Sequence, residues 1–210
     1  ASPSSTKRTT CGAKVAPDAH TPFLHLTGLD DGAVIKPRVA PDAPFLPREA
    51  LSVVAWVRVD EPSEWAGVLG CFQDNGPSES GFVLGANRTK FFFGLATAAT
   101  KRLTYLESRT AFARGKWYHL AAVYDGKQMR LFVNGQLDAS SAEQSGPIAY
   151  AKAAPFVIGR YKDDDEDFPL LGAIKEVMLC PHAVDAGQVA AHFDADKALA
   201  EAPPAVPDGP

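Results

Sequence analysis

At 210 residues the chain has an ordinary length for one all-β domain and can bury a two-sheet core, so no second domain is required. Its 21 Lys and Arg against 25 Asp and Glu leave a net charge of −4 with both signs interspersed, which offers no basic face to nucleic acid and no polybasic arm to an anionic membrane. Apolar runs such as Leu120 to Tyr124 fall far short of the ~20 residues of a membrane helix, and no basic-then-apolar leader pattern opens the chain, so membrane insertion is not expected.

The first residues, ASPSSTKRTT, and the last, EAPPAVPDGP, are rich in small residues and proline, a composition that buries too little apolar surface to order itself. The expected organisation is a flexible segment over 1–20, one domain over 21–196 and a proline-rich linker over 197–210, as in a module cut from a longer protein. Between the ends, short β signals recur with Gly, Pro, Asn and Asp clusters separating them. In Leu51 to Val59 one face is Leu51, Val53, Ala55, Val57 and Val59 and should point into the core, while Ser52, Val54, Trp56 and Arg58 occupy the other. Ala66 to Gln73, Gly81 to Ala86, Phe91 to Ala96 and Leu103 to Glu107 read as further strands; the Phe91-Phe92-Phe93 run is apolar on both faces and suits an internal strand.

Gly115 to Gly135, GKWYHLAAVYDGKQMRLFVNG, holds two apolar runs that meet at Asp125-Gly126 and stop at Asn134-Gly135. Both dipeptides accept the positive backbone angles of tight turns, so the segment reads as one hairpin leading into a second. Farther on, Lys162 to Phe168 (KDDDEDF) interleaves acids with acids, so a strand there would carry charge on both faces; it is expected to be a loop. Near the end, Asp185 can cap a short helix in which Val189, His192 and Phe193 fall on one side, suited to sealing an open end of a sandwich.

Cys11, Cys71 and Cys180 lack paired CxxC spacing and are odd in number. Two readings stand: a Cys11–Cys180 disulfide, or three reduced thiols with Cys71 a small core residue. His119 lies inside a hairpin strand with no GxSxG elbow to supply a nucleophile, and reads as a structural histidine. His20, His25, His182 and His192 show no HExxH or HxH spacing. Asn87-Arg88-Thr89 matches a glycosylation sequon, a triplet that often arises by chance.

The GKWYHLAAVYDG…LFVNG segment resembles the laminin G-like jelly rolls of the concanavalin A-type sandwich. LTGLDD at Leu26 to Asp31, LSVVAWVRV at Leu51 to Val59, PFVIGR at Pro155 to Arg160 and LGAIKEVML at Leu171 to Leu179 resemble the same family in the same order. The implied fold is an all-β, two-sheet antiparallel jelly-roll sandwich with one short C-terminal helix. WAGVLGCFQDNG, GFVLGANRTKFFFGLA, LTYLESRTAF and GRYKDDDEDFPLLG also resemble the module attached to some bacterial purple acid phosphatase-like metallophosphoesterases. That resemblance implies a secreted or periplasmic accessory role beside neighbouring domains of a parent chain.

Laminarinase-like hydrolases with this type of sandwich carry Glu-x-Asp-x-x-Glu or Glu-x-Asp-x-Glu on one strand, and the sequence has no such segment, so no enzyme is expected. The resemblance implies a noncatalytic module, with a glycan or glycoprotein as the first partner and a structural spacer or protein-interaction domain as the alternative. Exposed aromatic faces stack on sugar rings, which makes Trp56, Trp65, Tyr150 and Tyr161 the candidates; each has a packing alternative, and for Trp56 and Trp117 packing in the core or rim is favoured. The acidic residues admit two readings, a solvated charge run or a structural Ca²⁺ as cofactor. Its candidate ligands are Asp163, Asp164 and Asp165 in the acidic run, beside Glu166 and Asp167, and Asp30-Asp31, where the segment resembles the family's FDGxDD with Thr27 replacing its first Asp. The family's Ile-Asp-Glu-Val becomes Ile174-Lys175-Glu176-Val177, which puts an ammonium where an oxygen ligand is usual.

Overall fold

The computed structural model describes residues 14–15, 23–28, 30–77 and 79–201. Its strands are β1 (Lys14–Val15), β2 (Leu24–Leu26), β3 (Ala33–Val39), β4 (Leu51–Glu61), β5 (Ala66–Gln73), β6 (Ser80–Asn87), β7 (Lys90–Leu95) and β8 (Thr104–Ala111). They continue as β9 (Trp117–Tyr124), β10 (Met129–Val133), β11 (Gln136–Ser141), β12 (Ala154–Ile158), β13 (Arg160–Lys162), β14 (Asp167–Pro169) and β15 (Leu171–Cys180), followed by helices α1 (Ala186–Asp196) and α2 (Ala198–Glu201). One sheet runs β1-β15-β4-β9-β10-β11 with β2 also paired to β15; the other runs β3-β12-β5-β6-β7-β8; β13 and β14 form a separate ribbon. All pairings are antiparallel, giving the jelly-roll sandwich.

The alternation in β4 does what its residues dictate: Leu51, Val53, Ala55, Val57 and Val59 enter the core, facing Leu69, Phe82, Leu84, Phe91 and Phe93 of the other sheet. Asn134 and Gly135 adopt φ of 50° and 79° between β10 and β11, the positive angles their turn requires. The Asp125-Gly126 turn is a longer loop, with the Asp125 carboxylate accepting the N–H groups of Lys127 and Gln128. The β7 phenylalanines divide as expected, Phe91 and Phe93 inward and Phe92 outward, on a strand paired on both sides.

Both outer faces are covered. On the seven-stranded sheet, Val54, Ala121, Val123 and Phe132 pack under Val189 of α1, while Trp56, Trp117 and Ala173 meet Phe193 and Ala200. The helix therefore lies on a sheet face and does not seal an open end, because β4 and β9 carry apolar residues on both faces and need a cover on each. Asp185 caps α1 through a capping box with Gln188, and the Ser52 hydroxyl donates to the His182 carbonyl while accepting the Val184 N–H, fixing the entry to the helix. No helix among the described residues is long and apolar enough to cross a membrane.

The disulfide alternatives are resolved for two cysteines. Cys71 is a free thiol in the core, pushed up to about 12 by burial, and Cys180 is disulfide-bonded, so the fully reduced reading does not hold. Cys11, the expected partner, lies outside the described residues.

His119 is fully buried on the outer face of β9, its Nε2 2.9 Å from His192 Nδ1 on α1 and its Nδ1 without a partner among the described residues. Burial, and then the nearby His192, lowers its pKa from 6.5 to about 3. A base whose folded pKa is depressed stays neutral in the fold while the unfolded chain takes up a proton, so stability falls as pH drops from 6.5 toward 3. At pH 5 the loss from this residue should approach about 2 kcal/mol relative to pH 7.5, at ~1.4 kcal/mol per unit. Urea midpoints that do not change between pH 7.5 and 5 would contradict this.

Candidate functional site

The acids of the KDDDEDF run divide between a turn and a ribbon. Lys162 ends β13, residues 163–166 make the turn, and Asp167 and Phe168 begin β14, so the segment is a loop only at its centre. The charge problem of a strand is met locally: Asp167 is paired with both Arg160 and Lys162, whose hydrogen bonds outweigh burial and hold its carboxyl below the ordinary range. Asp163 starts the turn by accepting the N–H groups of Asp165 (3.1 Å) and Glu166 (2.8 Å), and is only 3% exposed.

Across from this turn lies the end of β5. The Gln73 amide donates to Asp163 at 3.1 Å and to Asp164; the Asn75 amide reaches Asp164 and Asp165, each at 2.5 Å. Carboxylate oxygens of Asp74, Asp163 and Glu166 lie within 4.8 Å of one another, as do those of Asp163, Asp164 and Asp165. Burial, then Asp74, raises the Asp163 pKa; burial, then Asp163 and Asp165, raises that of Glu166; the Asn75 and Gln73 amides lower that of Asp164. Hard oxygen donors converging from two loops, with two side-chain amides able to turn a carbonyl toward the same point, form a donor set that fits Ca²⁺. The fit is also electrostatic, since a buried carboxylate beside other carboxylates is costly without a countercharge.

An aromatic patch adjoins these acids on the outer face of the six-stranded sheet. Tyr161 is buried with its ring 4.5 Å from Phe72 and 5.2 Å from Trp65. Its hydroxyl donates to Asp74, which leaves the Tyr105 hydroxyl as donor in their 2.8 Å contact. Burial raises both phenols well above their ordinary range, so both stay protonated and serve as donors. Trp65 and Tyr105 are half-buried, their rings 5.4 Å apart and inclined at 54°. The ribbon reaches this face because Gly67 has no side chain: a Cβ there would stand 2.0 Å from the Arg160 carbonyl oxygen.

Four expectations need restating. Trp56 is fully buried, stacked on Phe193 at 5.7 Å, and offers no face to a ligand, because α1 covers it. Tyr161 is buried as well and acts from beneath the patch through its hydroxyl. Tyr150 is half-buried and anchors its connection by donating to the Pro47 carbonyl at 2.7 Å. Asp31 accepts the N–H groups of Thr27 (2.6 Å) and Gly28 (2.8 Å), which lower its pKa, so it closes its own turn; neither it nor exposed Asp30 joins the acidic clusters. Trp117 packs at the rim against Phe23, with the Arg58 guanidinium 5.5 Å from its ring. The sequence reading missed Gln73, Asp74, Asn75 and Tyr105; the Asp-Asn-Gly turn signal after β5 was the available clue.

Comparison with known proteins places the geometry in a wider setting. The Laminin_G_3 model, described as the concanavalin A-like lectin/glucanases superfamily, matches residues 31–190. Mouse (Mus musculus) pappalysin-1 is 33% identical over 114 residues, which is 49% of this chain and 7% of that protein, so the chain spans a small fraction of its curated relative. Among solved structures, the CBM40 of the Ruminococcus gnavus IT-sialidase, bound to α2,3-sialyllactose, aligns with a TM-score of 0.61 at 15% identity, covering 78% of this chain and 97% of that one. Domain 4 of AbnA, an extracellular arabinanase from Geobacillus stearothermophilus, in complex with arabinotriose, aligns with a TM-score of 0.52 at 19% identity, covering 80% and 85%. At these identities the structural likeness is one of fold.

Proposed function

The chain belongs to the concanavalin A-like lectin/glucanases superfamily, and on that basis we propose that it is a noncatalytic carbohydrate-binding module, stiffened by Ca²⁺, of a larger secreted protein. The observation that carries this reading is the half-buried Trp65–Tyr105 pair directly beside the converging carboxylates of Asp74, Asp163, Asp164, Asp165 and Glu166. Aromatic faces stack on the apolar faces of sugar rings, and neighbouring acid and amide groups take hydroxyl hydrogens. The arrangement favours binding over hydrolysis, because its acids converge on one point and do not bracket a bond from two sides. Glycan-bound modules of the same fold, holding sialyllactose or arabinotriose, support the substrate class. The alternative of a spacer beside neighbouring domains would leave Trp65 without a ligand.

Bound calcium would neutralise the acidic turn and tie the end of β5 to the ribbon. In millimolar CaCl₂ the unfolding midpoint should rise above that in EDTA: at a hundredfold excess over Kd the gain is about 2.7 kcal/mol, or roughly 5–10 °C for a domain of this size. Asp164→Asn should reduce the shift, and Trp65→Ala should preserve it while abolishing retention on a glycan array. A glycan array read with calcium that shows no saccharide retained would sink the carbohydrate reading, and an unmoved midpoint would sink the calcium reading.

A further inference from the structure

A second concave feature shares no residue with the acidic turn. Where the edge strand β3 and its neighbour β12 approach the end of β15, no main-chain pairing among the described residues joins the two sheets, and an apolar groove of about 360 Å³ opens between them. Ile35, Phe45 and Phe156 form its outer wall, Leu69 reaches it from the core, and Val177 and Leu179 close the side of β15. Val34, Ile35 and Phe45 stay 46%, 42% and 38% exposed, a concentration of large apolar side chains at one edge. Among the described residues that line the groove Lys36 is the one that carries a charge, with its Nζ 5.5 Å from the centre of the Phe45 ring.

We propose that this groove binds the hydrocarbon chain of an anionic amphiphile, such as a single-chain fatty carboxylate, with the headgroup at Lys36. The walls supply apolar contact and one cation at the mouth, the complement of an acyl chain ending in an acid. A partner strand is poorly served, because Pro37 removes a donor from the middle of β3 and the β3–β12 register shifts twice. The volume lies within the roughly 300–1,000 Å³ of small-molecule pockets.

The test is calorimetric titration of the whole chain with octanoate, decanoate and dodecanoate below their micellar concentrations, with decyltrimethylammonium as the cationic counterpart. Saturable one-to-one binding should strengthen roughly fourfold per added methylene. Ile35→Asp should abolish it and Lys36→Gln should weaken it about tenfold, the loss of one charge-assisted contact. Both positions are exposed, and circular dichroism melts would verify that each variant folds. The proposal is overturned by an absence of saturable binding, by affinity independent of chain length, by equal binding of the cationic amphiphile, or by Ile35→Asp binding like the parent. It is also overturned if sedimentation shows a dimer that Ile35→Asp dissociates, since the groove would then be a self-interface.

Discussion

Alanine in place of Trp56 is expected to cost the domain about 3–5 kcal/mol, the range for removing a fully buried large aromatic side chain. The ring is packed from several directions: Phe193 stacks on it at 5.7 Å, His119 meets it edge-on at 5.3 Å, and Ala173 and Trp117 complete the cluster. Its Nε1 has no hydrogen-bond partner among the described residues, so the loss is one of packing and volume. Trp56→Phe should therefore recover much of the stability, although it deletes the N–H. Urea denaturation of both variants measures the effect; a cost under about 1 kcal/mol for Trp56→Ala would mean that α1 is not docked on this face. The contrast with Trp65→Ala is functional, because the Trp56 variant should still bind glycan in proportion to the fraction folded.

Valine at Gly67 should have a comparable effect through the main chain. A Cβ at this position would meet the Arg160 carbonyl oxygen at 2.0 Å, its carbon at 2.2 Å and the Tyr161 nitrogen at 2.4 Å. These are backbone atoms with no rotamer to yield, so the ribbon has to lift from the sheet. Tyr161 would then leave Phe72 and Trp65, its hydroxyl would leave Asp74, and Asp163 would separate from Asp74 and from the Gln73 and Asn75 amides. About 3–5 kcal/mol is expected from exposing the aromatic ring and freeing buried polar groups, together with loss of any calcium-dependent rise in midpoint. Retention of parent stability and of a calcium response in Gly67→Val would contradict the placement of the ribbon.

The fold was legible because its signals are local. Asn134-Gly135 accepts positive φ, β4 alternates with period two, and Asp185 stands as a cap just ahead of Val189, His192 and Phe193 at helical spacing; each reading needs only neighbours in sequence. β3 was passed over because Pro37 and the exposed charges Lys36 and Arg38 weaken its pattern, and the pairing to β12 that makes it a strand comes from far along the chain. The candidate site was half legible for the same reason. The acids of 163–165 announce themselves, whereas Asp74 and Asn75 join them only after β5 and the ribbon are brought together, a contact of some ninety residues in separation. Trp56 shows the converse limit: alternation places it on the outer face of β4, and only the return of α1 decides that this face is dry.

The position of β15 governs when this chain can fold. It lies between β1 and β4 and also pairs with β2, so one of the last segments in sequence joins some of the first. During synthesis β4 would wait with one edge unpaired until Leu171 to Cys180 leaves the ribosome, and the helix that covers the sheet follows later still. Such late, long-range closure makes for slow folding and leaves an adhesive strand edge exposed until the last strand arrives.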